Sequence, residues 1–151
     1  MSMRNAMAMI VAAMMISAMM PEALAQDEPA VTPAWLKEKG AKLLTKADLE
    51  ALLPGSVYDD VGDRFTNSYT NDRDGSLSTY HTPRIGGGGT DMPWRASGTW
   101  RVSDQGQYCV DYRFRVTEVK YCMYVWQLGN DYYVTFGRGD QSRGRKAKIS
   151  K

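Results

Sequence analysis

Between residues 97 and 136 apolar and polar side chains alternate for most of the length, which is the period of a strand with one buried face. Tyr108, Val110, Tyr112, Phe114 and Val116 recur at every second position, with Cys109, Asp111, Arg113 and Arg115 between them. A second run follows at Val119, Tyr121, Met123 and Val125. Asp104-Gln105-Gly106 and Gly129-Asn130-Asp131 supply turn formers, so the stretch predicts three or four consecutive antiparallel strands. Placing Cys109 opposite Cys122 sets a register. Asp111 then faces Lys120 and Arg113 faces Glu118, while on the other side Val110 meets Tyr121, Tyr112 meets Val119 and Tyr108 meets Met123. Opposite charges and apolar pairs are both favourable across a ladder, and a slip by one residue would scramble both faces. Arg115-Val116 would occupy a two-residue loop that prefers Asn-Gly or other glycine-containing pairs, so a bulge or a longer loop near the tip is the alternative.

Upstream the period changes. Thr32-Pro33 can cap and begin a short helix through Trp35, Leu36 and Lys39 that ends at Gly40. Thr45 with Asp48 three residues later predicts a second helix, whose Leu49, Leu52 and Leu53 share one face before Pro54-Gly55 stops it. So short a helix must pack that edge on a sheet. Residues 56–60, 64–71 and 77–80 read as strands, with a hairpin turn at 71–75. A calcium loop centred on Gly75 fails, because its first and last ligand positions fall on Thr70 and His81. The four glycines at 86–89 predict a mobile loop; a phosphate-binding loop needs a lysine, a Ser/Thr and a following helix, and Thr90-Asp91-Met92-Pro93 follows instead. The fold class is mainly β: an antiparallel meander or small lipocalin-like barrel, with a short N-terminal helix plugging one end or lying across a face.

Arg4, an apolar run over 6–20 and Ala23-Leu24-Ala25 have the form of a signal peptide cleaved after Ala25, which predicts a periplasmic protein. The organisation expected is 1–25 signal peptide, 26–43 partly helical leader, 44–137 β-rich domain and 138–151 basic disordered tail. The formal net charge is +2, but Arg138, Arg143, Arg145, Lys146, Lys148 and Lys151 stand against Asp140 in the last segment. These cations predict weak contact with anionic lipid or lipopolysaccharide rather than nucleic acid, carried by Arg138, Arg143, Arg145, Lys146 and Lys148. Two cysteines in an exported chain predict a Cys109–Cys122 disulfide; with His81 the only histidine, no tetrahedral metal set is expected, and no cofactor.

Leu44-Thr45-Lys46-Ala47-Asp48-Leu49 through Leu53-Pro54-Gly55, Tyr69 with Asp74-Gly75, Gly98-Thr99-Trp100-Arg101-Val102 and the two cysteines resemble a family of small exported alphaproteobacterial proteins known as domain of unknown function 995. The resemblance spans about residues 44–136. It implies a periplasmic β-rich domain and brings no catalytic or binding residues.

Nothing in the chain advertises an enzyme: there is no Gly-x-Ser-x-Gly and no His-Glu-x-x-His, and His81 stands between Tyr80 and Thr82. The expected function is a non-enzymatic envelope module that binds an envelope component or a small apolar ligand. Tyr80, His81, Trp94, Trp100, Tyr124 and Trp126 are the candidate ligand-binding residues, although an aromatic stripe at strand spacing also serves as core. One alternative is an inhibitor of a cell-wall lytic enzyme, inserting the loop at 82–92 or 71–75. Another is a small hydrolase or isomerase, which would require His81 to point inward beside a carboxylate. Arg138-Gly139-Asp140 matches an adhesion tripeptide, and so short a string is read as coincidence.

Overall fold

A computed structural model describes residues 30–84 and 92–151. The expected cleavage after Ala25 and the glycine run at 86–89 lie outside the described residues. Helix α1 (Pro33–Glu38) is capped by the Thr32 hydroxyl, as its sequence predicts, and is followed by a two-residue strand β1 (Lys42–Leu43). Helix α2 (Lys46–Leu52) begins on the expected capping box. Thr45 Oγ1 accepts from the Asp48 N–H at 3.2 Å, and the Asp48 carboxylate accepts from the Thr45 N–H at 2.9 Å. That bond, with those from Lys42 and the Thr45 hydroxyl, holds the Asp48 carboxyl down to about 2.

Eight strands then run in sequence: β2 (Ser56–Val61), β3 (Phe65–Asn71), β4 (Ser76–Pro83), β5 (Trp94–Val102), β6 (Tyr108–Phe114), β7 (Thr117–Leu128), β8 (Asp131–Thr135) and β9 (Gly144–Ser150). Each pairs antiparallel with the next, and β9 returns to β2, so the meander closes into an eight-stranded up-and-down barrel. Closure removes the unpaired edges that an open sheet would present. The expected barrel is therefore found. β7 is long enough, at 12 residues, to pair with β6 through its first part and with β8 and β1 through its second.

The register of β6 and β7 is the one expected from the cysteines, from Tyr108↔Met123 through Cys109↔Cys122 to Phe114↔Thr117. Arg115-Val116 does form the two-residue connection, and Arg115 accepts a φ of 54° to do so. The disulfide lies on the outer face, with the two Cα atoms 4.0 Å apart.

The tail requires a correction. Its last seven strand residues are ordered as β9, which pairs with β8 through residues 144–147 and with β2 through residues 147–150. The reason is local alternation under a charged disguise: Ala147 is buried, Ile149 packs against the core, and Arg145 takes the next inward position two residues earlier.

Inward side chains fill the barrel. Tyr58, Tyr69, Tyr108, Leu77, Met123, Val125 and Val134 are fully buried. Leu44, Leu49 and Leu53 join this cluster and pack with Tyr58 and Tyr108, so α2 lies across one end and seals it. A second, smaller cluster on the outer face joins Leu36 of α1 to Trp126 and Tyr133.

Candidate binding site at the open end of the barrel

The end opposite α2 is formed by the close of β2, β4 and β6, the start of β3, β5 and β7, and the β8–β9 connection. Strand alternation aims Phe65, His81, Trp94 and Phe114 inward near this end. Trp94 is the centre of a stack, with the His81 ring 3.7 Å away on one side and the Phe114 ring 3.8 Å away on the other, and Phe65 meets it edge-on at 6.5 Å. Above the stack a cavity of about 590 Å³ is lined by Arg64, Phe65, Met92, Pro93, Trp94, Phe114 and Arg115. Arginines lie over the rim phenylalanines: Arg64 over Phe65 at 5.7 Å, Arg115 over Phe114 at 5.1 Å and Arg145 over Phe136 at 4.9 Å.

Beneath this rim runs a chain of polar groups. The Asp60 carboxylate, buried at 3% exposure, accepts from the Tyr58 hydroxyl and from Asn67 Nδ2, both at 2.6 Å. Because Asn67 spends its amide N–H on Asp60, its Oδ1 is the atom that meets His81 Nδ1 at 2.7 Å. That oxygen can only accept, so this network assigns the imidazole proton to Nδ1 and leaves a lone pair on Nε2. His81 is 2% exposed, its Nε2 has no hydrogen-bond partner among the described residues, and burial lowers its pKa from 6.5 to about 4. The ring is therefore neutral at pH 7. Arg145 Nε lies 3.1 Å from Asp60 Oδ2 but is not aligned for a hydrogen bond, which leaves a charge pair in which only the Arg side chain reaches solvent. Lower in the barrel the Tyr69 and Tyr121 hydroxyls meet at 2.7 Å, and burial raises the pKa of both.

Of the six candidate ligand-binding residues, the structure brings His81 and Trp94 together here. Tyr80 points outward under Arg95, and Trp100 sits in the other half of the barrel, donating its Nε1–H to the Asp72 carbonyl at 2.8 Å. Tyr124 and Trp126 are on the outer face: Arg138 covers the first at 4.7 Å, and the second donates to Thr135 Oγ1 at 3.1 Å. These four are not part of the site, because each falls on the wrong face or level once the register is set. The basic residues of the last segment are likewise distributed. Arg143 pairs with Asp63 and Lys146 with Asp131, while Arg145 is turned inward to Asp60 and Lys148 lies on the outer face of β9.

Asp60 and Asn67 were not anticipated, and Arg145, expected to contact anionic surfaces, instead faces the buried Asp60 carboxylate. The available signal was spacing: Asp60 follows Ser56 and Tyr58 at every second position, and Asn67 precedes Tyr69 in the same way. Comparison of the chain with protein-family models, curated proteins and solved structures finds no match.

Proposed function

We propose that this protein is a periplasmic binding barrel that holds a small, mainly apolar ligand with an anionic group at its open end. The observation that carries the reading is the cavity whose floor is the Trp94–Phe114 stack and whose sides include Arg64 and Arg115. A flat apolar body gains contact area on such a floor, and guanidinium groups suit a carboxylate or phosphate at its edge. The signal-like residues 1–25 and the disulfide support an exported location. Titration with anilinonaphthalene sulfonate, a fluorescent anionic aromatic, tests the reading. Binding is expected to quench Trp94 and to weaken about tenfold or more in Trp94→Ala, given what an aromatic anchor contributes. Equal affinity in that variant would refute the site.

A second reading, a hydrolase or isomerase, is favoured by one observation: His81 does point inward, and its Nδ1 is oriented by a carboxylate through Asn67. Such an arrangement holds Nε2 as a proton acceptor, the role of a general base. Loss of a turnover activity in both His81→Gln and Asn67→Ala, with ligand affinity retained, would support it over passive binding.

A further inference from the structure

We propose that the first half of β7 is a self-association edge, on which a second copy of this chain adds its own β7 antiparallel about a two-fold axis. The barrel wall closes, but β7 outruns β8: it spans Thr117–Leu128, and β8 covers it only from Tyr124 onward. Its opposite side pairs with β6 over 117–123 and with β1 at 126 and 127. Backbone groups alternate between the two sides of a strand. The Val125 C=O accepts from the Leu44 N–H at 2.9 Å on the β1 side, so Glu118, Lys120 and Cys122 turn their N–H and C=O groups to the side that β8 leaves uncovered. Among the described residues no backbone segment hydrogen-bonds to them there. Glu118 and Lys120 are exposed, and Val119, Tyr121 and Cys122 are half-buried. Unpaired backbone of this kind is a template for another strand.

Charge and register together select a second copy as the occupant. Centred on Val119, a two-fold pairing sets Glu118 opposite Lys120 of the second copy and, by symmetry, Lys120 opposite its Glu118, with the open-side backbone groups of both face to face. Centred on Glu118 or on Lys120 it would oppose glutamate to glutamate or lysine to lysine. Centred between two residues it would turn open-side groups toward groups that face β6. The Val119 centring also brings Val116, on the β6–β7 turn, to Cys122 of the second copy, so each turn ends before the other copy's β8 begins at the Tyr124↔Thr135 pair. There Val116, 86% exposed, lies beside Phe136 of the second copy, 43% exposed, and each covers the other. Lys120 already reaches Asp111 and Glu118 of its own chain, at 3.4 Å each, and all three side chains are exposed. The charges therefore fix the register, while the backbone supplies the hold. Any other strand would need the same acidic, apolar, basic order to fit, and a second copy carries it by symmetry.

So short an edge makes a weak, transient interface, with the monomer prevailing below about 10 µM and the dimer above about 300 µM. Sedimentation equilibrium of the exported full chain, its N-terminus checked by mass, follows the exchange up to about 1 mM. Lys120→Glu or Glu118→Lys alone sets like charges face to face at two symmetric places, and each should weaken the dimer about tenfold or more. The double swap, Glu118→Lys with Lys120→Glu, restores opposite charges and should return the affinity to within about threefold of the parent. Glu118→Pro removes an N–H that faces only the open side, leaves the β6 ladder whole and should abolish the dimer. Circular dichroism confirms that each variant folds. A chain that stays monomeric to about 1 mM, a dimer indifferent to Lys120→Glu, or a double swap no tighter than the single variants overturns the proposal. The inference does not depend on the ligand reading: Trp94→Ala should abolish binding of the fluorescent probe and leave the dimer unchanged.

Discussion

Gly98 shows how strictly single positions are set in this barrel. It faces Tyr112 across the β5–β6 ladder, and a Cβ added there would stand 2.0 Å from the Asp111 carbonyl oxygen and 2.7 Å from the Tyr112 Cα. Both are backbone atoms that cannot step aside without parting the strands. Gly98→Ala should therefore cost about 3 kcal/mol or more in chemical denaturation, at the upper end of overpacking effects. Gly137→Ala makes the contrast, because the close atom there is the Ser142 hydroxyl, which can rotate away. That variant should stay within about 0.5 kcal/mol of the parent. His81 provides a second test at this scale. Its folded pKa is about 4 against an ordinary 6.5, so the proton binds the unfolded chain preferentially. The stability due to keeping His81 neutral is fully present above pH 6.5. It should fall as pH drops from 6.5 to about 4 and then change no further from this group. Denaturation midpoints across that window should show the slope in the parent and lose it in His81→Gln. A slope unchanged in the variant would mean that His81 is not the group responsible.

At the scale of elements, the β6–β7 hairpin was the most legible part of the chain. Its two faces carry independent information, charge pairs outside and apolar pairs inside, and both agree with the cysteines on one register. The outer face does keep the Lys120–Asp111 contact, at 3.4 Å, while Glu118 also reaches Lys120. Because the disulfide ties strands that are already adjacent, over a sequence separation of only 13, it restrains little of the unfolded chain. Replacing both cysteines by serine should lower stability by at most about 3 kcal/mol and leave the fold intact by circular dichroism. Complete unfolding of that variant would contradict this. α2 was legible for a different reason, since capping box, leucine edge and glycine stop are all local signals. What the local pattern could not show was which surface the leucines cover, because the end of a barrel exists only after closure. The same limit hid the polar chain Asp60–Asn67–His81, whose members lie on three successive strands and meet only through their ladder registers.

For the whole molecule, closure rests on β9, the element least visible in the sequence. In Gly144–Ser150 only Ala147 and Ile149 are apolar, and the third inward place is held by Arg145, so the run reads as a solvated cationic end. Its inward arginine is intelligible only with Asp60, which belongs to the first strand of the barrel. Truncation after Gly137 would remove β9 and with it the ladders to β2 and β8. Two strands would become open edges, and Asp60, whose side chain is 0% exposed in the closed barrel, would lose its counter-charge. Removing one partner of a buried pair alone costs about 3–5 kcal/mol, comparable with the whole stability of a small domain. The truncated protein should therefore give no monomeric, cooperatively unfolding species, and its exposed edges should drive association in size-exclusion chromatography. Lys146→Gln with Lys148→Gln removes two of the same charges from the outer face while preserving every ladder bond, and should fold as a monomer. If the truncated chain instead folded as a monomer with its unfolding transition intact, β9 would be an accessory strand, and the barrel would not need to be closed to be stable.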